Sequence, residues 1–470
     1  MINAIIVSAL AAFCGLLAAS HALMTKRDSR AAFGWVAFCL FLPLAGPVIY
    51  VIFGINRLHV HANRTYLAKL SADPTRSIRE PEGVQLRPMS LIGERITGKG
   101  LYSCDEITML ENGEELYPAM LEAINSATRK VYLSTYILDN DFTGWTFISA
   151  LSSARNRGVD VRIIVDGLGE FMTFPKRRIG RKINKAGLDF SRFNPIRLIP
   201  PALHINMRNH RKILLVDSEL AFTGGQNIGD RHLYANDANK HRVTDLHFRF
   251  RGKIVDDLER AFLIDWYHCQ GRRNEVSFEP AIENRRDARI WTRLVLDGPN
   301  EDMDKLNDLM VGTISTATKR VWIMTPYFLP GQDLIGAIMA AQLRGVDMKI
   351  LLPVRGNIYL AQWATQNMLL HVMEKGIRVF LQPGPFIHTK ALIIDDNYSL
   401  VGSANLDPRS LRLNFELGVE VFDHDLNSRL ADYFKVKLLA ANEISREQML
   451  ARPFWVRFRD ALAWLFSPYL

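Results

Sequence analysis

The sequence predicts an α/β protein in which two duplicated lobes, each a mixed sheet flanked by helices, form a pseudo-dimer behind an N-terminal transmembrane helical hairpin. Two long apolar runs within the first 54 residues predict the hairpin. Alternating helical and strand-like segments through the rest of the chain predict the α/β class. Three patterns that recur in the same order predict the duplication. A chain of 470 residues is also too long for a single ordinary domain.

The two apolar runs extend over residues 4–23 and 31–54, and the second contains no charged side chain. A helix needs roughly 20 apolar residues to cross the hydrocarbon of a bilayer, so each run predicts one transmembrane helix. A cleavable signal peptide is the alternative for the first run. That run lacks the basic residues that normally precede the apolar part of a signal peptide, and a second apolar run follows within a few residues. We therefore expect two membrane spans.

The charges that flank these spans do not decide on which side of the membrane the rest of the chain lies. Three basic residues occupy the loop between the spans and three more follow the second span: Lys26, Arg27, Arg30, Arg57, Arg64 and Lys69. The positive-inside count is therefore nearly tied. Two spans would return the chain to the side of its N-terminus. The four cysteines form no disulfide or metal-site pattern and favour the reducing cytoplasm.

Residues 55–104 are polar and rich in Arg, Pro and Gly, which predicts a linker. The two lobes are expected at residues 105–285 and 286–452. Residues 127–136 match residues 317–326 as a helix end that runs into an apolar strand. Residues 157–164 match residues 344–351, where Gly158 and Gly345 end a helix before a buried strand.

An aromatic amphipathic tail follows at residues 453–470. It places Trp455, Phe458, Leu462 and Leu465 at helical spacing. This stripe predicts either an interfacial helix on a membrane surface or a helix that packs against the body of the protein.

The third repeated pattern carries reactive side chains. Each copy reads His-x-Lys-x4-Asp and is followed at the same spacing by a Gly-x-x-Asn segment. The two copies supply six candidate catalytic residues, which are His210, Lys212, Asp217, His388, Lys390 and Asp395. The segments that follow add candidates that would bind or orient a phosphate, which are Gly225, Asn227, Ser403 and Asn405.

Each motif runs through an apolar segment, residues 213–216 and 391–394, that predicts a buried strand. Because side chains alternate along a strand, the His and Lys of one motif share a face and the Asp has the opposite parity. We therefore expect Asp217 and Asp395 to brace the fold, while the histidines and lysines face a phosphate.

Two lobes placed face to face would gather two His, two Lys and two Asn around one phosphate. Cations and amides, including backbone amides of the Gly-Gly and Gly-Ser pairs, would stabilise charge on the phosphate oxygens. One imidazole would attack phosphorus, and the other would protonate the leaving oxygen and later deprotonate the acceptor. A nucleophilic His must be held in one tautomer, and Asp245 and Glu416, downstream of the two motifs, are the candidate orienting groups. These residues require no metal and no cofactor.

The motifs and their flanks resemble the phospholipase D superfamily, and more narrowly its bacterial cardiolipin synthases, over essentially the whole chain. Residues 209–212, 222–229, 386–390 and 401–416 carry the resemblance. Residues of the second apolar run also fall as in the two-helix membrane segment of many such synthases: Trp35, Pro43, Gly46, Tyr50, Phe53 and Gly54. The resemblance implies phospholipase D-like lobes and a multi-pass protein of the bacterial inner membrane. One departure is Val-Thr-Asp at residues 243–245, where family members usually have Trp-Arg-Asp, and it puts the acceptor contacts near that loop in doubt.

The resemblance also implies an activity. One phosphatidylglycerol would donate its phosphatidyl group to His210 with release of glycerol. A second phosphatidylglycerol would then attack to give cardiolipin, with His388 as general acid and base. The expected partners are phosphatidylglycerol, other anionic lipids and the bilayer, and no oligomeric state is predicted.

Three alternatives stay open. A phospholipase D that hydrolyses lipid, or a transferase that uses phosphatidylethanolamine or another acceptor, would carry the same motifs. A nuclease would suit residues 171–216, where eleven Lys and Arg residues accompany the single acid Asp189, although a solvated basic face without a ligand is the plainer interpretation of that stretch. The membrane segment argues against a nucleic-acid substrate, and the intact motifs argue against an inactive scaffold.

Overall fold

Three helices and a π-helical turn begin the chain in the computed structural model. It describes residues 2–26, 29–54, 87–172, 179–196, 207–235, 239–272, 278, 280, 282, 288–299 and 302–467. Helix α1 covers Ile2–Thr25, α2 covers Ser29–Phe41 and α3 covers Ala45–Ile49, and the π-helical turn covers Tyr50–Gly54. They belong to a unit, Met1–Asn63, that is separate from the C-terminal unit, Arg64–Leu470.

The second apolar run does not form the single helix expected over residues 31–54. Within the described residues, the segment Ile6–Thr25 is long and apolar enough to cross a membrane, whereas the apolar helix Ala31–Phe41 is shorter. Helix α2 ends two residues before Pro43 because a proline disfavours helical backbone at the preceding residue and supplies no N–H group. A hairpin of two full spans is therefore not confirmed.

The first lobe alternates strands and helices. Helix α4 (Arg87–Thr97) precedes it. Its strands are β1 (Tyr102–Glu111), β2 (Lys130–Thr135), β3 (Asp160–Asp166), β4 (Asp189–Phe193), β5 (Ile213–Val216), β6 (Leu220–Gly224), β7 (Val243–Thr244) and β8 (Leu246–Gly252). Its helices are α5 (Asn112–Ser126), α6 (Phe142–Asn156), α7 (Gly167–Met172), α8 (Gly180–Lys185) and α9 (Ile254–Cys269), with a 3-10 turn at Asp230–His232.

The second lobe repeats this order. Its strands are β9 (Ile290–Asp297), β10 (Arg320–Met324), β11 (Asp347–Pro353), β12 (Arg378–Gln382), β13 (Phe386–Ile387), β14 (Ala391–Ile394), β15 (Tyr398–Gly402), β16 (Glu416–Phe422) and β17 (Asn442–Ile444). Its helices are α10 (Lys305–Thr316), α11 (Gln332–Leu343), α12 (Tyr359–Met373), α13 (Pro408–Arg412), α14 (His424–Leu439), α15 (Arg446–Leu450) and α16 (Phe454–Trp464).

One sheet runs through both lobes. Among the described residues its strand order is β17-β12-β11-β10-β14-β15-β16-β9-β1-β8-β6-β5-β2-β3-β4. Apart from β17, the order in one half mirrors that in the other about the antiparallel pair β1 and β9, where Ser103 lies opposite Trp291. This pseudo-two-fold arrangement confirms the predicted fold of two duplicated α/β lobes.

The repeated glycines end their helices as expected. Arg157 and Arg344 are the C-cap residues that follow α6 and α11, and the glycines after them have φ of +92° and +87°. A side chain is disfavoured in this left-handed region, so Gly158 and Gly345 allow each chain to turn into β3 and β11. The same local rule thus shapes both lobes.

A shared apolar core joins the lobes. It contains Phe248 and Phe262 from the first lobe together with Phe415 and Phe434 from the second, all of them buried. Helix α4 lies in the segment predicted to be a linker, yet its Met89 is buried in the outer core of the second lobe. Part of the expected linker therefore belongs to the C-terminal unit.

Candidate active site

The two motifs begin at one end of buried strands and finish at the other. Residues of β5 and β14 are buried throughout, as the apolar segments predict. The His and Lys of each motif precede the strand, and the Asp follows it. At roughly 3.3 Å per residue, five residues separate Lys212 from Asp217 by about 16 Å. Distance along the strand, more than parity, removes the Asp from the reactive end.

Asp217 and Asp395 each gather the start of a neighbouring strand. The Asp217 carboxylate accepts hydrogen bonds from the backbone N–H groups of residues 128, 129 and 130, at 2.8–2.9 Å. Asp395 accepts from the N–H groups of residues 318, 319 and 320 in the same way. Both have positive φ, 54° and 48°. These contacts are those of residues that brace the fold.

Two short parallel pairings carry backbone from one lobe to the other. Strand β7 of the first lobe pairs with β13 of the second, and the His388 N–H donates to the Thr244 carbonyl at 2.8 Å. In the other direction the His210 N–H donates to the Phe415 carbonyl at 2.9 Å. Each histidine therefore lies beside the residue that comes next in the chain after its backbone partner in the other lobe. That residue is Asp245 in one case and Glu416 in the other.

His210 is held by a carboxylate of the second lobe. Its Nδ1 lies 3.1 Å from Oε1 of Glu416, which is fully buried, and the other oxygen of Glu416 accepts from the Ser403 hydroxyl at 2.5 Å. Burial lowers the pKa of His210, while the charge of Glu416 opposes that effect. In its neutral form the imidazole donates Nδ1–H to Glu416, which leaves Nε2 without that contact.

His388 is held by a carboxylate of the first lobe. Its Nδ1 lies 2.8 Å from Oδ2 of Asp245, which is fully buried. Burial and the neighbouring Lys390 lower the pKa of His388 to about 4. Burial raises the pKa of Asp245, but the positive charges of Lys390 and His388 outweigh this and bring it to about 2. The two candidate orienting groups, Asp245 and Glu416, thus each contact the histidine of the opposite lobe.

The two motif lysines converge beside the histidines. Lys212 Nζ donates to the His210 carbonyl at 2.6 Å, and Lys390 Nζ donates to the His388 carbonyl and lies 2.9 Å from His388 Nδ1. Burial lowers the pKa of Lys390 to about 7, opposed by Asp245 and assisted by the charge of Lys212. Burial disfavours the protonated, positively charged form of Lys390. A phosphate bound between the two ammonium groups would favour that form again.

The amides of Gly225 and Ser403 do not serve as the anion donors that the sequence suggested. Their N–H groups donate to the carbonyls of Leu246 and Leu417, at 3.1 and 3.0 Å, because sheet pairing continues past the end of each strand. Gly225 instead makes room for the orienting carboxylate, since a methyl group there would lie 2.4 Å from an oxygen of Asp245. Both residues support the orienting groups.

The two asparagines lie in the wall of the same cavity. The side-chain carbonyl of Asn227 accepts from the Ile137 N–H at 3.2 Å. The NH₂ group of Asn405 donates to the Ser410 hydroxyl at 3.1 Å, and its buried oxygen has no hydrogen-bond partner within the described residues. Both asparagines therefore stay candidates for contact with a substrate.

One cavity of about 1320 Å³ contains both histidines and both lysines. Its wall also includes residues that sequence reasoning missed, which are Tyr136, His232, Arg355 and Arg409. The ring of Tyr136 lies 4.2 Å from that of His210. Tyr136 ends a repeated pattern and could have been found there, whereas no pattern marked the others.

The basic stretch at residues 171–216 is not one exposed patch. Arg208 and Arg211 are buried and pair with Asp166 at 3.5 Å and Asp265 at 2.9 Å. Lys212 lines the cavity. Because these acids come from other parts of the chain, the count within the stretch overstated its surface charge, and the argument for nucleic acid weakens.

The residues described contain no group of three His, Cys, Asp or Glu side chains arranged to hold a metal ion. The carboxylates of Glu416 and Asp245 each contact a histidine.

The fold and the site together define a class of protein, the two-lobed phospholipase D-like proteins, in which one histidine from each lobe faces a common cavity. A family model described as cardiolipin synthase, PLD-like domain, matches residues 120–266 and 310–438, more than half of the chain. A second, described as the phospholipase D-nuclease N-terminal segment, matches residues 15–54. The chain belongs to the cardiolipin synthase family of phospholipase D-like proteins.

Curated relatives match nearly end to end. The major cardiolipin synthase ClsA of Bacillus subtilis is 27% identical over 97% of this chain and 97% of its own length. The cardiolipin synthase of Clostridium perfringens is 28% identical over 95% of each chain. Among solved structures, the phosphatidylserine synthase of Haemophilus influenzae aligns with a TM-score of 0.64 at 15% identity, over 83% of this chain and 100% of that one. The last likeness establishes the fold.

Proposed function

We propose that this protein is a cardiolipin synthase that transfers a phosphatidyl group from one phosphatidylglycerol to a hydroxyl of a second, with release of glycerol. The observation that carries the proposal is the pair of histidines in one cavity, each with Nδ1 held by a carboxylate of the opposite lobe. This arrangement leaves two reactive Nε2 atoms, which a two-step transfer requires. The names and full-length match of the curated relatives support the same assignment.

In the first step, Nε2 of His210 attacks phosphorus and forms an N–P bond. The bond from phosphorus to the glycerol oxygen breaks, and Nε2–H of protonated His388 delivers its proton to that oxygen. Glu416 stabilises the positive charge that develops on the His210 ring. Lys212 and Lys390 stabilise the negative charge on the phosphate oxygens.

In the second step, neutral His388 accepts a proton from the hydroxyl of the second phosphatidylglycerol. The hydroxyl oxygen attacks phosphorus, the N–P bond breaks, and His210 leaves as a neutral imidazole. His388 has regained its proton, so the cycle closes. His388 must be protonated before the first step although its pKa is about 4 without substrate. An anionic phosphate beside the ring favours the imidazolium, so protonation accompanies substrate binding.

Two anionic lipids carry two phosphate groups. The second phosphate needs positive charge in addition to the charge that surrounds the reacting phosphate. Arg355 and Arg409 line the cavity in addition to the two motif lysines. Arg409 is half-buried, and its charge acts on Tyr136, whose ring lies 4.2 Å from that of His210. We assign Arg355 and Arg409 to the phosphate and headgroup of the acceptor lipid.

The C-terminal tail supports action at a membrane. Helix α16 packs one face on α12, with Asp460 buried and Arg459 over the ring of Trp363 at 4.5 Å. The predicted apolar stripe is the other face and remains exposed, with Trp455 at 75% and Phe458 at 53%. The stripe itself therefore does not pack against the body of the protein, and this exposed face suits the interface of a bilayer.

The assignment is tested by incubating the purified full chain in detergent with phosphatidylglycerol labelled in the acyl chains and in the headgroup. We expect cardiolipin and glycerol in equal amounts, without added nucleotide and in the presence of chelator. His424→Ala changes an exposed histidine outside the cavity and is the control for the two motif histidines.

Other outcomes separate the alternatives. Phosphatidic acid as the sole lipid product would make the protein a hydrolase. Release of ethanolamine from added phosphatidylethanolamine would change the donor. Cleavage of DNA without any lipid turnover would make it a nuclease.

A further inference from the structure

The second apolar segment folds back on itself. A methyl group at Gly46 would lie 2.6 Å from the Phe38 carbonyl oxygen and 2.8 Å from Cys39 Cα, so α3 lies against the end of α2. Four residues later, the Tyr50 ring lies 5.2 Å from that of Trp35. Residue 46 thus lies beside residues 38 and 39, and residue 50, further along the chain, lies beside residue 35, which is earlier in α2. The segment Ala45–Gly54 therefore runs antiparallel to α2.

Contacts with α1 show how far along that helix the turn lies. A methyl group at Gly15 would lie 2.9 Å from the Cys39 carbonyl oxygen and 3.5 Å from Pro43 Cβ, so the turn lies beside the middle of α1. The returning arm ends beside the end of α1, since the Tyr50 hydroxyl bonds His21 Nδ1 at 2.8 Å. The Lys26 ammonium donates to the Gly54 carbonyl at 2.5 Å. Gly54 is thus back at the level from which α2 started.

The lengths agree with a partial insertion. At 1.5 Å per residue, the 24 residues of α1 extend about 36 Å, and the 13 residues of α2 extend about 20 Å. The hydrocarbon core is about 30 Å thick. Helix α1 is long enough to cross it, and α2 is not.

The backbone at the turn is suited to apolar surroundings. Unsatisfied N–H groups are costly in hydrocarbon. Pro43 and Pro47 have no N–H group, the Leu42 N–H donates to the Phe38 carbonyl at 3.1 Å, and the Gly46 N–H donates to the Leu42 carbonyl at 2.6 Å. Pro43, which follows α2, and Pro47, within α3, thus remove donors that would otherwise need partners.

We propose that residues 29–54 form a re-entrant membrane hairpin that enters and leaves the bilayer on the same side, and that α1 alone crosses it. The hairpin presents its apolar surface to the lipid of one leaflet. This holds whatever reaction the C-terminal unit performs.

The proposal resolves the tie in flanking charge. The basic residues before α2 and those after Gly54 then lie on one side of the membrane, which collects Lys26, Arg27, Arg30, Arg57, Arg64 and Lys69. Residues 1–25, which include α1 and the residue before it, contain no Lys or Arg. By the positive-inside rule, the side with these six residues is the cytoplasm. The N-terminus lies across the membrane, and the chain after Gly54 continues in the cytoplasm.

The test is labelling of single cysteines by a membrane-impermeant maleimide in intact and permeabilised spheroplasts. Cys14, Cys39, Cys104 and Cys269 are first replaced by Ala in the full chain, and one cysteine is then introduced by Asn3→Cys, Ser29→Cys or Asn63→Cys. We expect Asn3→Cys to be labelled in intact spheroplasts, and the other two only after permeabilisation.

Two full spans would place Asn3→Cys and Asn63→Cys on one side and Ser29→Cys on the other, which would overturn the proposal. Protection of all three in intact spheroplasts would also overturn it, because α1 would not cross.

A second pair of variants tests the turn itself. In the Asn63→Cys background, Gly46→Leu forces a side chain against the end of α2, whereas Gly34→Leu adds one where no atom lies within 4 Å. With Gly46→Leu, we expect the maleimide to label Asn63→Cys partly in intact spheroplasts, with a signal at least several-fold over background. With Gly34→Leu, we expect Asn63→Cys to stay protected. Equal labelling of the two variants would contradict the packing that turns the segment back.

Discussion

At the scale of single residues, the active site depends on an exchange of partners. His210 and His388 come from different lobes, and each is oriented by a carboxylate from the other lobe. The geometry is nearly symmetric, so it does not by itself assign the nucleophile. The two histidines nevertheless differ in surroundings, because Lys390 lies 2.9 Å from the ring nitrogen of His388. A cation there suits a group that gives its proton away.

Replacement of the two histidines separates their roles. His210→Ala should abolish turnover, a loss of at least about 10²-fold, and should give no covalent lipid adduct. His388→Ala should reduce turnover similarly but retain the adduct. The attacking water or alcohol then has no base to take its proton, so the lipid is not released from His210. After incubation with acyl-labelled phosphatidylglycerol, the protein is denatured at neutral pH, because an N–P bond to histidine is labile in acid, and is examined by mass spectrometry. An adduct found only in His210→Ala would reverse the assignment.

The space beside Gly225 makes a second prediction. Gly225→Ala places a methyl group 2.4 Å from the Asp245 carboxylate, which must shift away from His388. We expect kcat to fall on the order of 10²-fold, with KM changed little. Gly336→Ala is the matched control, because no atom lies within 4 Å of its added methyl group. Equal kcat values for the two variants would contradict the orienting role of Asp245.

At the scale of elements, the local sequence sets where strands and helices begin and end. The residues that surround each element determine which of its faces is buried. Strands β5 and β14 are buried where the apolar segments predict them. Helix α2 ends early because prolines follow it. Helix α16 buries one face and exposes the aromatic stripe.

The exposed face of α16 predicts a defect specific to membranes. Burial of a large apolar side chain contributes roughly 1.5–3 kcal/mol, so Trp455→Ser with Phe458→Ser should raise the apparent KM on phosphatidylglycerol vesicles by about 10-fold or more. Turnover of a monomeric short-chain phosphatidylglycerol should be unchanged. Leu439→Ser alters another exposed apolar residue, at 89%, and serves as control. A parallel loss on both substrates would indicate misfolding and refute the interfacial role.

At the scale of the whole molecule, the lobes form one sheet and share one apolar core. Several histidines are enclosed in this body. His247 is buried, both its ring nitrogens lack hydrogen-bond partners within the described residues, and burial lowers its pKa to about 3. The folded protein therefore keeps His247 neutral where the unfolded chain, with a pKa near 6.5, takes up a proton.

His247 contributes to acid lability with a definite sign. Between pH 6.5 and about pH 3 the unfolded state binds one more proton at this site, so stability falls as pH falls, by about 1.4 kcal/mol per pH unit. His247→Gln should remove this contribution, so that its free energy of unfolding, relative to the parent, rises by about 2 kcal/mol between pH 6.5 and 5. Denaturant unfolding in detergent at both pH values measures it, with exposed His424→Gln as control. Parallel pH dependence of parent and His247→Gln would contradict the shift.

Patterns along the chain were enough to predict the duplication, the two motifs, the buried strands and the bracing position of Asp217 and Asp395. These depend on local periodicity and on patterns that can be compared within one chain. The sequence also singled out Asp245 and Glu416, but not which histidine each one orients.

The remaining features depend on contacts between distant parts of the chain. Exchange of the carboxylates between lobes, the pairing of Arg208 and Arg211 with distant acids, and the return of the second apolar segment beside α1 all join residues far apart in sequence. Local propensity carries no information about such contacts, because they form only when the lobes or helices pack together. The physical reason is that burial and charge pairing act through space, whereas the patterns that can be recognised in a sequence act along the chain.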